Sequence, residues 1–173
     1  VSHRRLSNGE DKPYELNISW WSAMEDPGRD SNRFQYERFL LTQLLVMSLK
    51  GVPAFYLPAL LASENDIKSF SMTGQRRDLN REKFKSEKLE AVFKNPESNA
   101  NKNLRYLRHA MDVRSQLPQF HPQSQMECLS KNRADIVVIK RGIGSKAVFI
   151  IHNMTENKIN YRFIDYEFNK LIK

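Results

Sequence analysis

Three arginines and an aspartate, Arg76, Arg77, Asp78 and Arg81, lie within the run GQRRDLNR. A planar guanidinium beside a carboxylate can grip a phosphate or a pair of sugar hydroxyls with fixed geometry. The same residues can also form a solvated basic loop held by local Arg–Asp pairing. On composition alone that is the simpler reading, because short motifs recur by chance. Other candidate groups are sparser. His3, His109, His121 and His152 are dispersed, with no metal-ligand spacing. Trp20 and Trp21 suit either a sugar platform or helix packing. Cys128 is expected in a strand as a small core residue.

The arginine run ends a long segment that follows an apolar stretch. From Arg33 to Leu49, Phe34, Leu41, Leu44 and Leu45 mark a broad helical stripe, and Lys50-Gly51 stops it. Its N-cap is expected in the turn cluster 25–32. Val52–Leu57 is a short continuous apolar run, as in a strand buried on both faces of a parallel sheet, with Pro53 tolerated at its start. Residues 58–85 show little periodicity and read as a loop. Ser86–Lys94 is a short helix. Glu97–Leu117 is a longer one, with Ala100, Leu104, Leu107 and Met111 on its buried stripe. Residues 1–13 read as a loop, and 14–24 fit a strand or a short helix equally. After Pro118 and Pro122 the pattern changes to short β-branched and aromatic runs, SQMECLS, ADIVVIKRG, KAVFIIHNM and KINYRFID, which predict an antiparallel meander of four strands. The spacing therefore predicts an α/β region over 1–120 and a small antiparallel β domain over 121–173. A structureless loop as long as 58–85 is usually functional or disordered, and in an α/β barrel the loops after the strands build the active site.

Several ordered blocks carry a resemblance. Gly51-Val52-Pro53, Tyr56, Leu60-Leu61-Ala62, Asn65-Asp66 and Arg77-Asp78-Leu79-Asn80-Arg81 follow one another, preceded by Tyr14-Glu15-Leu16-Asn17 and Ser22-Ala23-Met24. Over about residues 12–117 this pattern resembles the sucrose phosphorylase-like subgroup of glycoside hydrolase family thirteen, within the α-amylase superfamily. The resemblance implies the C-terminal part of a (β/α)8 TIM barrel (seventh helix, eighth strand, eighth helix) followed by a small antiparallel β-sheet domain.

It also implies roles. Arg77 matches an arginine that helps hold the far hydroxyls of the glucosyl ring, and Asp78 would orient it. Tyr14 and Glu15 match loop positions that face the acceptor. Glu15 stands where sucrose phosphorylases usually carry Gln, which favours relatives acting on glucosylglycerate or glucosylglycerol. A carboxylate facing glycerate needs a countercharge or a proton, whereas glycerol needs neither. A whole barrel takes roughly 250 residues, more than this chain's 173. The catalytic carboxylates of such an enzyme would lie on earlier strands, before residue 1. No catalytic residue is therefore expected here, and the chain alone is expected to be inactive.

The implied activity is that of a retaining α-glucoside phosphorylase, a hexosyltransferase moving a glucosyl group from a small glucoside to phosphate. It would need no cofactor and no metal, with inorganic phosphate as co-substrate. A hydrolase of the same superfamily differs only by small changes in the acceptor loops. The formal net charge is +8, which also allows a stand-alone basic module binding nucleic acid. The basic residues are scattered rather than clustered, so small-molecule partners are expected instead of nucleic acid. No apolar run reaches the eighteen or so residues of a membrane span. A single cysteine fits a reducing, cytoplasmic setting.

Overall fold

The computed structural model describes residues 1–28, 33–130, 132–165 and 170–172, the segments 163–165 and 170–172 by backbone alone. The chain falls into two compact units, Val1–Leu40 with Phe55–Tyr106, and Leu41–Ala54 with Leu107–Lys173.

The first unit begins with a hairpin where the sequence predicts a loop. Strands β1 (Ser2–Arg5) and β2 (Asp11–Glu15) pair antiparallel, with a register shift between Ser2 and His3. Their residues are mostly exposed, so no alternation of apolar and polar types announces them. The turn holds the pair instead. Leu6 N–H donates to Glu10 O at 2.8 Å, Gly9 N–H to Leu6 O at 3.0 Å, and Glu10 N–H to the Asn8 side chain at 3.1 Å. The ambiguous stretch 14–24 is resolved as the end of β2 and a single 3-10 turn over Ser22–Met24.

Helix α1 (Gln35–Ser48) forms as its periodicity requires; the N-cap positions expected just before it lie outside the described residues. Phe39 is fully buried and packs with Trp21 and Ala62, while Trp20, Met24 and Tyr36 close around them. Both tryptophans meet Phe39 edge-on, at 6.4 Å and 5.2 Å between ring centroids. They form a core, not a sugar platform.

Val52–Tyr56 differs from expectation. It is not helical, and Tyr56 has φ −78° and ψ 138°, but the segment joins no ladder. A strand is defined by its neighbours' hydrogen bonds, and no described residue supplies them. Leu57 already belongs to α2 (Leu57–Leu60). The supposed structureless loop carries α2, α3 (Ile67–Thr73) and a 3-10 turn over Arg76–Asn80. These pieces are too short to show a hydrophobic period. Helices α4 (Ser86–Lys94) and α5 (Asn99–Gln116) fall where the stripes place them. On α5, Ala100 and Leu107 are buried, whereas Met111 is exposed. The buried Asn103 side chain donates to the Leu60 carbonyl at 3.0 Å, tying α5 to the end of α2.

In the second unit β3 (Met126–Cys128), β4 (Ile136–Arg141) and β5 (Val148–Asn153) form an antiparallel sheet in that order. The fourth predicted strand does not join it. β6 (Phe163–Asp165) pairs with β7 (Lys170–Ile172), a partner much closer along the chain. Cys128 is exposed, contrary to expectation, because β3 is an edge strand whose residues all face solvent. Central β4 is buried, including Arg141. Arg141 donates to the carbonyls of Gln119 (3.3 Å) and His121 (3.1 Å) and lies 5.5 Å from the Phe120 ring centroid. Arg114 lies at 5.0 Å from the same ring and donates to the carbonyls of Met47, Gly51 and Phe120. These guanidiniums satisfy backbone carbonyls that no helix or ladder takes up.

His152 on β5 is buried and meets Ser48 Oγ through Nε2 at 2.8 Å. Ser48 O–H donates to Leu44 O at 2.8 Å, so the serine oxygen is left to accept from His152 Nε2–H. Burial lowers the imidazole pKa below its ordinary value of about 6.5. Unfolded chain takes up a proton near that value and folded chain only below it. The stabilisation is thus complete above about pH 6.5 and is lost as pH falls through that value toward the lower folded one. Urea midpoints are expected to drop between pH 7.5 and 5.5, and to drop less in His152→Phe; equal drops in the two proteins would contradict this.

Candidate functional site

Two segments of the first unit carry the candidate residues. Tyr14 and Glu15 end β2, their backbone fixed by the hairpin. Arg76, Arg77 and Asp78 lie on the 3-10 turn that follows α3. The Asp66 carboxylate caps α3, accepting from Ser69 N–H at 2.9 Å and Ser69 O–H at 2.6 Å, which lowers its pKa. Gly74 ends α3 with φ 67° and closes it through Gly74 N–H to Phe70 O at 2.8 Å. That left-handed turn redirects the chain toward Arg76, and a side chain there would be strained.

Asn65 anchors the start of the same segment. Its side-chain oxygen accepts from Ser19 N–H at 2.7 Å, and its own N–H donates to Ser22 Oγ at 3.1 Å. Asp66 N–H donates to Leu79 O at 2.8 Å, closing the arc from 66 to 79. The Asn-Asp pair before a helix was the only sequence signal for this scaffold; the serines gave none.

Arg77 Nε donates to Glu15 Oε2 at 3.0 Å, joining residues 62 positions apart in sequence. The arginine side chain is 51% exposed and the glutamate 22%. The carboxylate holds the guanidinium pKa above its ordinary value, with a smaller contribution from Tyr14. The Tyr14 ring is exposed. Asp78 does not reach Arg77; its carboxylate accepts from Thr73 O–H at 2.5 Å and so braces the turn. Arg76 donates to the Val1 carbonyl. Arg81 is exposed. Of the four candidate residues, Tyr14, Glu15 and Arg77 meet, and Asp78 supports the backbone beneath Arg77.

A groove of about 440 Å³ in this unit is lined by 61–68 and by Glu82, Phe84, Lys88, Leu89 and Val92. It includes none of Tyr14, Glu15, Arg77 or Asp78. No cluster of three or more His, Cys, Asp or Glu suited to a metal ion occurs among the described residues. No helix among them is long and apolar enough to cross a membrane.

No protein-family model matches the chain. It is 34% identical over 157 residues to the glucosylglycerate phosphorylase of Allomeiothermus silvanus, covering 90% of this chain and 28% of that protein. Over 125 residues it is 26% identical to the sucrose phosphorylase of Streptococcus mutans, covering 72% and 23%. The crystal structure of sucrose 6F-phosphate phosphorylase from Thermoanaerobacter thermosaccharolyticum superimposes with a TM-score of 0.63 at 17% identity, covering 87% of this chain and 27% of that one. The latter likeness establishes a shared α/β fold over that part. The resemblance carried by the motif blocks is shown: the curated relatives are glucosylglycerate and sucrose phosphorylases. The chain spans about a quarter of the length of the relatives it matches.

Proposed function

We propose that this chain is the C-terminal portion of a retaining α-glucoside phosphorylase, one that moves a glucosyl group from a small glucoside to inorganic phosphate. The observation that carries the proposal is the Arg77–Glu15 ion pair. It joins the two sequence blocks, Tyr14–Asn17 and Arg77–Arg81, whose roles in the family are to face acceptor and donor. The named relatives support the class. The surface supports the incompleteness: Leu49, Val52, Tyr56, Leu57, Met111 and Val113 are all exposed, as expected of elements whose neighbours lie elsewhere.

In this reading Val52–Tyr56 is the eighth strand of a (β/α)8 barrel and the three-stranded sheet belongs to the small C-terminal domain. The nucleophile and the acid/base carboxylate, which retention requires about 5 Å apart, come from the remainder of the enzyme. Arg77 holds distal hydroxyls of the glucosyl ring, and Tyr14 and Glu15 line the acceptor side. Bonds that tighten on an oxocarbenium-like transition state speed the transfer; bonds equally strong in the ground state only aid binding. Phosphate then takes the place of water in the second displacement. The donor is glucosylglycerate, glucosylglycerol or sucrose; glycerate, glycerol or fructose leaves in the first displacement, taking a proton from the acid/base carboxyl, and is the acceptor in the reverse direction, and no cofactor takes part. Glu15 favours the first two of each.

The test is a chimaera in which this chain replaces the matching segment of the Allomeiothermus silvanus enzyme. Phosphate-dependent formation of glucose 1-phosphate from one of the three donors is the expected result, with none from the 173-residue chain alone. Glucose release that ignores phosphate, or turnover by the isolated chain, would overturn it.

A further inference from the structure

We infer that Glu15 is a positioning residue for Arg77, acting on the donor glucosyl ring through that guanidinium. The inference rests on the phosphorylase reading and assigns Glu15 a task beyond facing the acceptor. The Glu15 carboxylate takes Arg77 through Nε at 3.0 Å. The two terminal amino groups, the fork that matches paired oxygens, are not consumed by it. Both ends of the bridge have fixed backbones. Glu15 closes β2 opposite Ser2, and Arg77 stands on a turn braced by Gly74 and by the Thr73–Asp78 bond. Between those anchors, a half-exposed arginine has four side-chain torsions to lose, and the bond at Nε fixes the plane of its fork before a ligand arrives. Preorganised donors of this kind accelerate reactions because they need not reorient during the step. The pair also cancels its own charge, so neither member presents an isolated charge to the acceptor.

Two measurements test this separately from the phosphorylase reading. On the 173-residue chain labelled with 15N-arginine, the Arg77 Nε–H resonance is expected to be sharp and slow to exchange at pH 6.5. It is expected to be lost in Glu15→Ala and partly restored in Glu15→Gln, which keeps an acceptor oxygen. An Arg77 signal unchanged in Glu15→Ala overturns the inference whatever the enzymology gives.

In the active chimaera, Glu15→Ala is expected to lower kcat/KM for glucose 1-phosphate formation about tenfold, with every donor, and Glu15→Gln to recover part of it. The double variant with Arg77→Ala is expected to match Arg77→Ala within about twofold, because a residue acting through another adds nothing once that one is gone. Losses that multiply, or a Glu15→Ala loss confined to one acceptor, would make Glu15 an acceptor contact only and overturn the inference. An inactive chimaera speaks against the phosphorylase reading; the resonance still decides whether Glu15 holds Arg77.

Discussion

Replacing Arg77 by alanine in the active chimaera is expected to lower kcat/KM for phosphorolysis by roughly ten- to a hundredfold. Hydrogen bonds from a charged donor are commonly worth that much in rate when they act in the transition state. Arg77→Lys is expected to recover little, since an ammonium on a flexible stem lacks the planar fork and cannot engage Glu15 and two sugar oxygens together. The loss should fall on kcat rather than KM if the bonds tighten in the transition state. It should also be independent of acceptor, since the glucosyl ring is common to all three donors. Arg76→Ala is the comparison: Arg76 donates to the Val1 carbonyl and is expected to change kcat/KM less than twofold. Equal losses in Arg76→Ala and Arg77→Ala would reduce the whole run to a general basic surface.

Phe39→Ala is expected to destabilise the chain by about 3–5 kcal/mol. Phe39 has no exposed surface, and its ring meets Trp21 at 5.2 Å and an interplanar angle of 73°, so truncation opens a cavity and removes two edge-on contacts worth about 0.5–1.5 kcal/mol each. Against a total stability of order 5–15 kcal/mol, that is a large fraction of the whole. Phe39→Leu keeps most of the volume and is expected to cost about 1–2 kcal/mol. Tryptophan fluorescence reports this site without labelling, because the chain's 2 tryptophans are Trp20 and Trp21. A Phe39→Ala urea midpoint close to the parent value would contradict the assignment of this cluster as the core.

These two residues also mark what the sequence makes legible. Helices α1, α4 and α5 could be read because each is long enough for its buried stripe to repeat, and the ends of α4 are marked by Ser86 and by Asn95-Pro96. The three-stranded sheet was legible from β-branched runs separated by turn residues. The β1–β2 hairpin was not, since strands exposed on both faces carry no alternation and only the Asn8-Gly9 turn betrays them. Val52–Tyr56 was legible as an apolar run but forms no ladder, because pairing is a property of neighbours and none of the described residues supplies one. At the candidate site, the arginine run stood out by charge. Its partner did not: 62 residues separate Glu15 from Arg77, and only the fold brings them together. Asp78 looked like that partner by adjacency, yet neighbours on a tight turn point apart, and Thr73 takes it.

Pro53 sits inside the exposed apolar run, and α2 with Pro58 in its first turn follows directly, which bears on the chain's solubility. Val52 is 79% exposed and Tyr56 57%, the kind of sticky edge on which stray polypeptide adds as an extra strand. Pro53 has no N–H to offer and α2 begins at Leu57, so a would-be zipper is held to Ala54–Tyr56, too few for a lasting cross-β seam. The exposed run is therefore expected to resist adding a stray strand, limited on one side by a missing hydrogen and on the other by a helix start.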